Sequence, residues 1–393
     1  MERLPLYAQG PQDVYSNDTF WDPVYKQHTR FALSHRKVQF TGKSFVGNTV
    51  TLELKPTTLG DVISNMFLRV QLPSGPNYCT NPGRALLKKV EFKINEQVVE
   101  TLTDDWYQIH DQMFLDADEK NNISSIVSGS EIFVPLEFFF CRRFSSRRKR
   151  PVQFFPMCAL TSQIIYLTFT FSPGSWYSDT DNFDFVQAPE LVIEEITLTD
   201  EERLSFKSRK IEIVIPKIKQ ESVFTYNTGS LIVPLTASFP VQTIFWFFRR
   251  KSYETDPTQY NNRYEYGYKD DSIFGLPFDG GKYTNSIKQA TLYLNGLNLL
   301  GTFQGGTYYR FYQPMYRGLT VPIKDIYTYS FGLEHGKGYM DFSRLDSAKT
   351  TLNIDFDERY DSQISRNFNM YVYYYGWTKL VFQAGSASLA YVG

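Results

Sequence analysis

Cysteines, histidines and long apolar runs are scarce in this chain of 393 residues. The three cysteines, Cys79, Cys141 and Cys158, are odd in number and lack CxxC spacing. This argues against a disulfide framework and favours folding inside a cell. No run of about 18 apolar residues is present, so we expect no transmembrane helix. Met1–Gly10 has no basic stretch followed by an apolar core, so we expect no signal peptide.

Motifs that carry chemistry are also sparse. The four histidines are not spaced as metal ligands, and GxSxG is absent, so we expect no metal, no cofactor and no catalytic residue. Nothing marks the acid pairs as a glycosidase dyad, and we interpret them as solvated or capping carboxylates. The pairs are Asp104-Asp105, Glu194-Glu195 and Glu201-Glu202. A net charge of −1 indicates no binding of a specific nucleic-acid sequence, and the chain is predicted not to be an enzyme.

Aromatic residues, by contrast, are abundant, at 17% of the chain. Many lie in short segments where apolar and polar residues alternate, as in a strand with one buried face. Turn formers such as Asn295-Gly296 separate these segments. The pattern predicts an all-β protein built from β-sandwiches. The predicted strands include Thr49–Lys55, Val62–Leu72, Ile132–Phe140, Ile164–Phe171, Leu191–Leu198, Leu231–Leu235, Val241–Phe248, Ile326–Leu333, Thr351–Phe356 and Tyr371–Tyr375.

One aromatic motif occurs twice, at Trp106–Phe114 and at Tyr308–Tyr316, with an offset of 308 − 106 = 202 residues. A predicted hairpin precedes each copy. The repeat therefore indicates two copies of one domain. With about eight predicted strands in each half, we expect two tandem eight-stranded antiparallel jelly rolls with short helical insertions. The predicted division is an N-terminal arm at 1–29, a first jelly roll at 30–205 and a second at 206–393.

The first copy of the motif has the spacing of an amphipathic helix, with Asp104 or Asp105 as its N-cap. Pro314 predicts a shorter or broken turn in the second copy. We interpret the motif as a core plug under a sheet; an aromatic ligand site is the alternative. The polar positions that differ, His110/Tyr312 and Asp111/Gln313, are where the two domains are expected to meet different neighbours.

Two further segments stand out. The irregular stretch Arg249–Lys288 is interpreted as a surface excursion, with a recognition role as the alternative. A second segment is strongly basic and is either a solvated loop or an electrostatic contact. Its partner in that case is a neighbouring subunit, an acidic protein, anionic lipid or nucleic acid. Its basic residues are Arg142, Arg143, Arg147, Arg148, Lys149 and Arg150.

An ordered series of short motifs along nearly the whole chain resembles one known family. The similar segments are Ala8–Tyr15, Val24–Ala32, Asp105–Tyr107, Val134–Phe140, Leu294–Gly296, Gln313-Pro314, Tyr327–Leu333, Asp341–Asp346 and Leu389–Tyr391. The family is the double jelly-roll major capsid proteins of double-stranded DNA viruses. It spans the nucleocytoplasmic large DNA viruses, the virophages and the polinton-like viruses.

The resemblance implies a structural subunit of the virion. Three chains would form a pseudo-hexameric homotrimeric capsomer that tiles an icosahedral shell. Neighbouring capsomers, penton proteins and minor capsid proteins are the implied partners, and an internal membrane is a further candidate. By the same analogy Arg249–Lys288 would face outward. The alternative that the residues leave open is a carbohydrate-binding or glycoside-acting β-sandwich.

Replacing Arg147–Arg150 by glutamine tests the role of the basic segment. We expect altered assembly into shells with an intact, folded trimer, observed by negative-stain microscopy and size-exclusion chromatography. Lysine at the three arginine positions keeps the charge and serves as the control. A glutamine variant that does not fold would show that this segment supports the core.

Overall fold

The computed structural model describes residues 31–42, 44–141, 154–225, 229–266, 287–299, 305–333, 337–356 and 368–390. The predicted arm at 1–29 and the basic residues Arg142–Arg150 lie outside the described residues. Within the described ranges the chain forms two jelly rolls, which confirms the predicted fold class.

The first jelly roll consists of two four-stranded sheets, with strand orders β1-β8-β3-β6 and β2-β7-β4-β5. All of its strand pairs are antiparallel. The strands are β1 Ala32–Gln39, β2 Thr49–Leu54, β3 Val62–Gln71, β4 Leu87–Ile94, β5 Gln97–Thr103, β6 Glu131–Pro135, β7 Ile165–Phe171 and β8 Glu190–Thr197. Three short helices are inserted, α1 Pro82–Ala85, α2 Asp104–Met113 and α3 Ala117–Val127.

The second jelly roll repeats this arrangement. One sheet has the order β11-β17-β13-β14; the other has β10-β18-β12-β15, with β9 and β19 also on β18 and β16 on β12. Its strands are β9 Ile211–Gln220, β10 Phe224–Thr225, β11 Ser230–Pro234, β12 Pro240–Arg250, β13 Ile287–Leu294, β14 Leu297–Asn298, β15 Ile326–Ser330, β16 Met340–Asp341, β17 Thr351–Phe356, β18 Phe368–Gln383 and β19 Ser386–Leu389. Its helices are α5 Lys251–Thr255 and α6 Gln313–Tyr316. Helix α4, Asp200–Ser208, follows β8 and includes residues 205 and 206, between which the sequence predicts the domain boundary.

The hairpins form where the turn residues predict them. Asn95 joins β4 to β5 with a φ of 51°, and Asn295-Gly296 joins β13 to β14 with φ values of 52° and 80°. Positive φ at both central residues is the geometry that Asn-Gly favours in two-residue hairpins. A hairpin therefore stands before the aromatic motif in each domain, and only the second of the two turns has positive φ at both central residues.

The helices differ from the prediction in detail. The N-cap of α2 is Thr103, whose hydroxyl accepts from the Trp106 amide; Asp104 and Asp105 lie in the first turn. Helix α3 was not predicted, because its sequence is polar and only Ile123, Val127 and Glu119 are buried. A capping box formed by Asp116 and Glu119 stabilises its start. The strand predicted at Ile132–Phe140 ends at Pro135.

Strands β12 and β18 bury both of their faces. Ile244, Trp246 and Phe248 of β12 point into the core of the second jelly roll. The intervening Phe245 and Phe247 belong to the core cluster that includes the first jelly roll. Side chains of β18 alternate between the same two clusters. A strand buried on both faces needs a nearly continuous apolar sequence, which accounts for the aromatic runs in these segments.

Gly376 is a point of close approach between these two strands. It pairs with Val241 next to an irregularity in the register, and a Cβ there would lie 2.0 Å from the Pro240 carbonyl oxygen. The Pro240 carbonyl group and the Phe239 ring, 2.9 Å from that Cβ, leave no room for a methyl group.

We expect Gly376→Ala to lower the free energy of unfolding by about 1–3 kcal/mol, the usual cost of overpacking. Thermal unfolding measures the change. Gly305→Ala is the control, because its Cβ would meet only the Lys288 carbonyl oxygen at 3.5 Å. Equal melting temperatures for the two variants would contradict the assignment.

Candidate assembly interface

Helix α2 lies between the two jelly rolls. Its Trp106 ring stacks on Tyr375 at 5.8 Å and meets Phe245 edge-on at 6.1 Å. Phe114, directly after the helix, packs on the same two rings. Trp106 is only 2% exposed. The first copy of the motif is thus a plug, as predicted, but it covers the outer face of the second domain's sheet.

The opposite side of α2 is anchored in its own domain. Arg84, 1% exposed, donates two hydrogen bonds of 2.9 Å to the Asp111 carboxylate. Its guanidinium also lies 4.7 Å from the ring centre of the buried Tyr107. Paired charges at this depth are costly to separate, so α2 is a fixed part of the first jelly roll.

Backbone and side-chain hydrogen bonds from the second domain hold the C-terminal half of α2. The Thr320 amide donates to the Met113 carbonyl at 2.8 Å. The Ile323 amide donates to Gln112 Oε1 at 2.9 Å, and Lys324 Nζ donates to Gln108 Oε1 at 2.8 Å. Burial lowers the pKa of Lys324 to about 8.

A buried polar network lies at the N-terminal end of α2. Arg249, at the end of β12, forms an ion pair with Asp105. The Tyr266 hydroxyl donates to Asp105 at 2.9 Å, and the Tyr264 hydroxyl donates to Asp104 at 3.0 Å. Asp104 and Asp105 are 6% and 3% exposed, so interpreting them as solvated or capping carboxylates was wrong.

Both members of the pair Glu194-Glu195 lie beside a basic side chain. Glu195 is buried and receives two hydrogen bonds from Arg36, at 3.1 and 3.0 Å. Glu194 lies 3.8 Å from His35. Glu202 of the third pair is buried as well. In each of the three pairs, at least one carboxylate is therefore buried.

The stretch that begins at Arg249 is only partly a surface excursion. Arg249, Tyr264 and Tyr266 are buried at the contact between the domains, and the Arg263 guanidinium lies 3.3 Å from the ring centre of Trp176. The tyrosines are buried because their rings pack around Arg249 and their hydroxyls bind the two aspartates. Residues 267–286 lie outside the described part of the chain.

A cleft of about 570 Å³ opens beside this network, lined by Asp104, Asp105, Glu254 and basic and aromatic side chains. Its acids are already engaged. Asp105 pairs with Arg249, and Glu254 accepts hydrogen bonds from Tyr371 and Asn369. Among its described lining residues, the cleft therefore offers no free pair of carboxylates for glycoside chemistry.

The C-terminal hairpin adds a second contact between the domains. The Thr161 amide donates to the Gly385 carbonyl at 2.9 Å, and Gln163 Nε2 donates to the Ala387 carbonyl at 3.2 Å. The Leu389 amide donates to Gln97 Oε1 at 3.3 Å. Together with α2, these bonds fix how the two jelly rolls meet.

The second copy of the motif packs in its own domain and is partly exposed among the described residues. Tyr309, the equivalent of Tyr107, is fully buried, and its hydroxyl donates to the Ala290 carbonyl at 2.8 Å. Tyr312, Met315 and Tyr316 are 47%, 64% and 63% exposed. The predicted broken turn is confirmed as a π-helical turn, Tyr308–Tyr312, followed by α6 with Pro314 in its first turn.

Three further expectations concern the basic segment, metal binding and a membrane-spanning helix. Arg142, Arg143 and Arg147–Arg150 lie outside the described residues. Among the described residues, no group of three or more His, Cys, Asp or Glu side chains is arranged to hold a metal ion. No helix in the described ranges is long and apolar enough to cross a membrane.

Sequence reasoning missed Arg84 and Arg249, the two buried cations that organise the interface. A signal was present for Arg249, because it ends the apolar run Ile244–Phe248 at a point where a charge in a strand needs a partner. The partners Asp105 and Asp111 are 144 and 27 residues away from their arginines, so proximity in sequence did not indicate them.

The pH dependence of stability tests the buried network. Burial and the neighbouring Asp105 raise the pKa of Asp104 to about 6, against the attraction of Arg249 and Arg263. Ionising this carboxyl therefore costs more in the folded chain than in the unfolded chain. Its contribution to the free energy of unfolding falls as the pH rises from about 4 through 6.

We expect Asp104→Asn to remove this loss. The melting temperature of the variant relative to the original chain should rise between pH 4.5 and pH 7, with most of the change below about pH 6.5. The exposed Asp118, changed to Asn, is the control. A difference in melting temperature between Asp104→Asn and the original chain that stays constant across this pH range would refute the assignment.

Two family models together match nearly the whole chain. A model described as "Major capsid protein N-terminus" matches residues 19–194. One described as "Large eukaryotic DNA virus major capsid protein" matches residues 191–387. The two matches meet close to the end of β8.

Individual proteins agree with the family models. The major capsid protein of Paramecium bursaria Chlorella virus 1 is 25% identical over 384 residues, covering 88% of this chain and 86% of that protein. Probable capsid protein 4 of Acanthamoeba polyphaga mimivirus is 27% identical over 198 residues, covering 43% of this chain and 37% of that protein.

Solved structures show the same fold. A chain of the PBCV-1 virus capsid superimposes with a TM-score of 0.76 at 20% identity, covering 95% of this chain and 100% of that one. The Faustovirus major capsid protein superimposes with a TM-score of 0.70 at 13% identity, covering 94% and 93%.

These matches do not favour the alternative of a carbohydrate-binding or glycoside-acting β-sandwich, and they agree with a fold of two jelly rolls. The chain belongs to the family of major capsid proteins of large eukaryotic DNA viruses.

Proposed function

We propose that three copies of this chain form a closed ring of six jelly rolls, a homotrimeric capsomer that tiles an icosahedral shell. The observation that carries the proposal is the direction of the contact inside the chain. The helix of one repeat lies on the sheet of the next, so the two surfaces in contact are different. A head-to-tail contact of this kind generates a ring when its rotation closes.

The duplicated strand order supports closure. Both domains have the same two sheets with equivalent strands in the same order. Each domain also carries an aromatic helical segment between its hairpin and the next strand of the other sheet. Three chains with two similar domains each provide six similar units, so threefold symmetry approximates sixfold symmetry.

The role proposed for the chain is structural, without turnover of a substrate. Its proposed partners are further copies of itself, neighbouring capsomers, and penton and minor capsid proteins. An internal membrane is a further proposed partner. The basic segment Arg142–Arg150 is proposed as an electrostatic contact in these assemblies, and the virion is the proposed location.

Native mass spectrometry of the purified chain tests the stoichiometry. We expect a dominant species at three times 45.8 kDa, and pseudo-hexagonal particles in negative-stain images. The trimer should persist on dilution to low micromolar concentration, because a stable interface buries a large, well-packed surface. A monomer or a dimer as the main species would overturn the proposal.

A further inference from the structure

A ladder of three tyrosines stands on the surface of the second jelly roll. Tyr308, Tyr312 and Tyr316 are spaced by four residues. Adjacent rings in the ladder lie 5.2 and 4.4 Å apart. Met315 lies beside them and is 64% exposed. Such a cluster of large exposed side chains on one helical segment is typical of a protein interface.

The first copy of the motif indicates what covers this ladder. At the offset of 202 residues, the equivalents of Tyr312, Met315 and Tyr316 are His110, Met113 and Phe114. These three residues are at most 3% exposed, and Phe114 packs on Phe245 and Tyr375 in the outer face of the second domain's sheet. Within the described part of the chain, the second copy presents the same face of the motif with no partner domain packed on it.

We infer that the tyrosine ladder binds the outer face of the β1-β8-β3-β6 sheet in a second copy of this chain. The inference rests on the proposed trimer and deepens it, because it names both surfaces of the contact between subunits. The occupant is a second copy, since that copy carries the sheet equivalent to the one that α2 already covers.

The receiving face has an apolar centre in the equivalent place. Phe245 of β12, on which Phe114 packs, lies two residues past the register irregularity that ends at Thr243 and pairs with Tyr373 and Thr328 of the flanking strands. Phe67 lies two residues past the matching irregularity of β3. Phe67 of β3 pairs with Val192 and Pro135 of the equivalent strands. Phe67 is partly exposed, and its ring lies 5.7 Å from that of Phe133 on the same face.

Charged groups surround this centre and match the chemistry of the ladder. Arg69, with 30% of its side chain exposed, bridges Glu190 at 2.9 Å and Glu131 at 2.6 Å. Tyrosine hydroxyls donate to carboxylates, and an arginine plane stacks on tyrosine rings. A ladder of tyrosines therefore packs on the phenylalanines and hydrogen-bonds the ion pairs, whereas a ladder of aliphatic side chains would cover the ion pairs without offering them a hydrogen bond.

Charge introduced into the ladder tests the inference. We expect the double variant Tyr312→Glu and Tyr316→Glu to raise the dissociation constant of the trimer at least tenfold, so that monomer accumulates. The monomer should keep the circular dichroism spectrum of the original chain, because both side chains are exposed. Tyr339→Glu is the matched control, since Tyr339 is 60% exposed and lies outside the ladder; it should leave the trimer intact.

Cross-linking tests which surface receives the ladder, without depending on the charged variants. A chain with both Met315→Cys and Phe67→Cys, treated with a short bis-maleimide, should give covalent dimers and trimers on a denaturing gel. Either single variant should give neither product, which also controls for the three native cysteines.

The outcomes separate this inference from the proposed function. If the original chain is a trimer, but the charged ladder leaves it unchanged and the cysteine pair does not cross-link, the named surfaces are wrong and the capsomer proposal stands. If the original chain is not a trimer, both are overturned. A trimer that the ladder variant disrupts and the cysteine pair cross-links establishes the contact.

Discussion

The structure depends on the contact between α2 of the first jelly roll and the outer face of β12 and β18 in the second. Trp106 and Phe114 supply the apolar part, and the buried pair of Arg249 and Asp105 supplies the polar part. Aromatic packing is only weakly directional, whereas a buried ion pair is tolerated only with its partner in place. The pair therefore restricts the ways in which the two domains can meet. The contact with α2 also explains why β12 and β18 are apolar on both faces.

The two copies of the motif separate two physical tasks. Tyr107 and Tyr309 do the same work, since each is fully buried in its own domain. At the next turn of the helix the copies diverge, with a buried His110 and Phe114 in one and an exposed Tyr312 and Tyr316 in the other. A ring that is covered during folding needs no hydroxyl group of its own, as Phe114 shows. A surface that stays in water until a neighbour arrives needs hydroxyl groups, which tyrosine provides while keeping its ring area.

Much of the fold follows from local sequence, and the interface does not. The Asn295-Gly296 turn, the alternation in β4 and the repeated motif are local patterns, and they predict the hairpins, the strands and the duplication. Helix α3 escaped prediction because Ala117–Val127 buries few apolar side chains and owes its start to a capping box. The pairing of Arg249 with Asp105 joins residues 144 positions apart. No local sequence pattern predicts this pairing. In the sequence, Asp104 and Asp105 look like ordinary solvated acids.

Closure of the proposed ring is then decided largely inside the chain. In a head-to-tail ring every contact sets the rotation to the next unit, and a small error accumulates over six units. Half of the contacts lie within chains, where α2, the Thr320–Lys324 segment and the C-terminal hairpin hold the domains at one angle. In the proposed ring the other half would form only on assembly and would use a more polar surface. The rigid contacts within each chain would then set the curvature of the ring before subunits meet, and the tyrosine ladder would need only to recognise a neighbour already presented at the right angle.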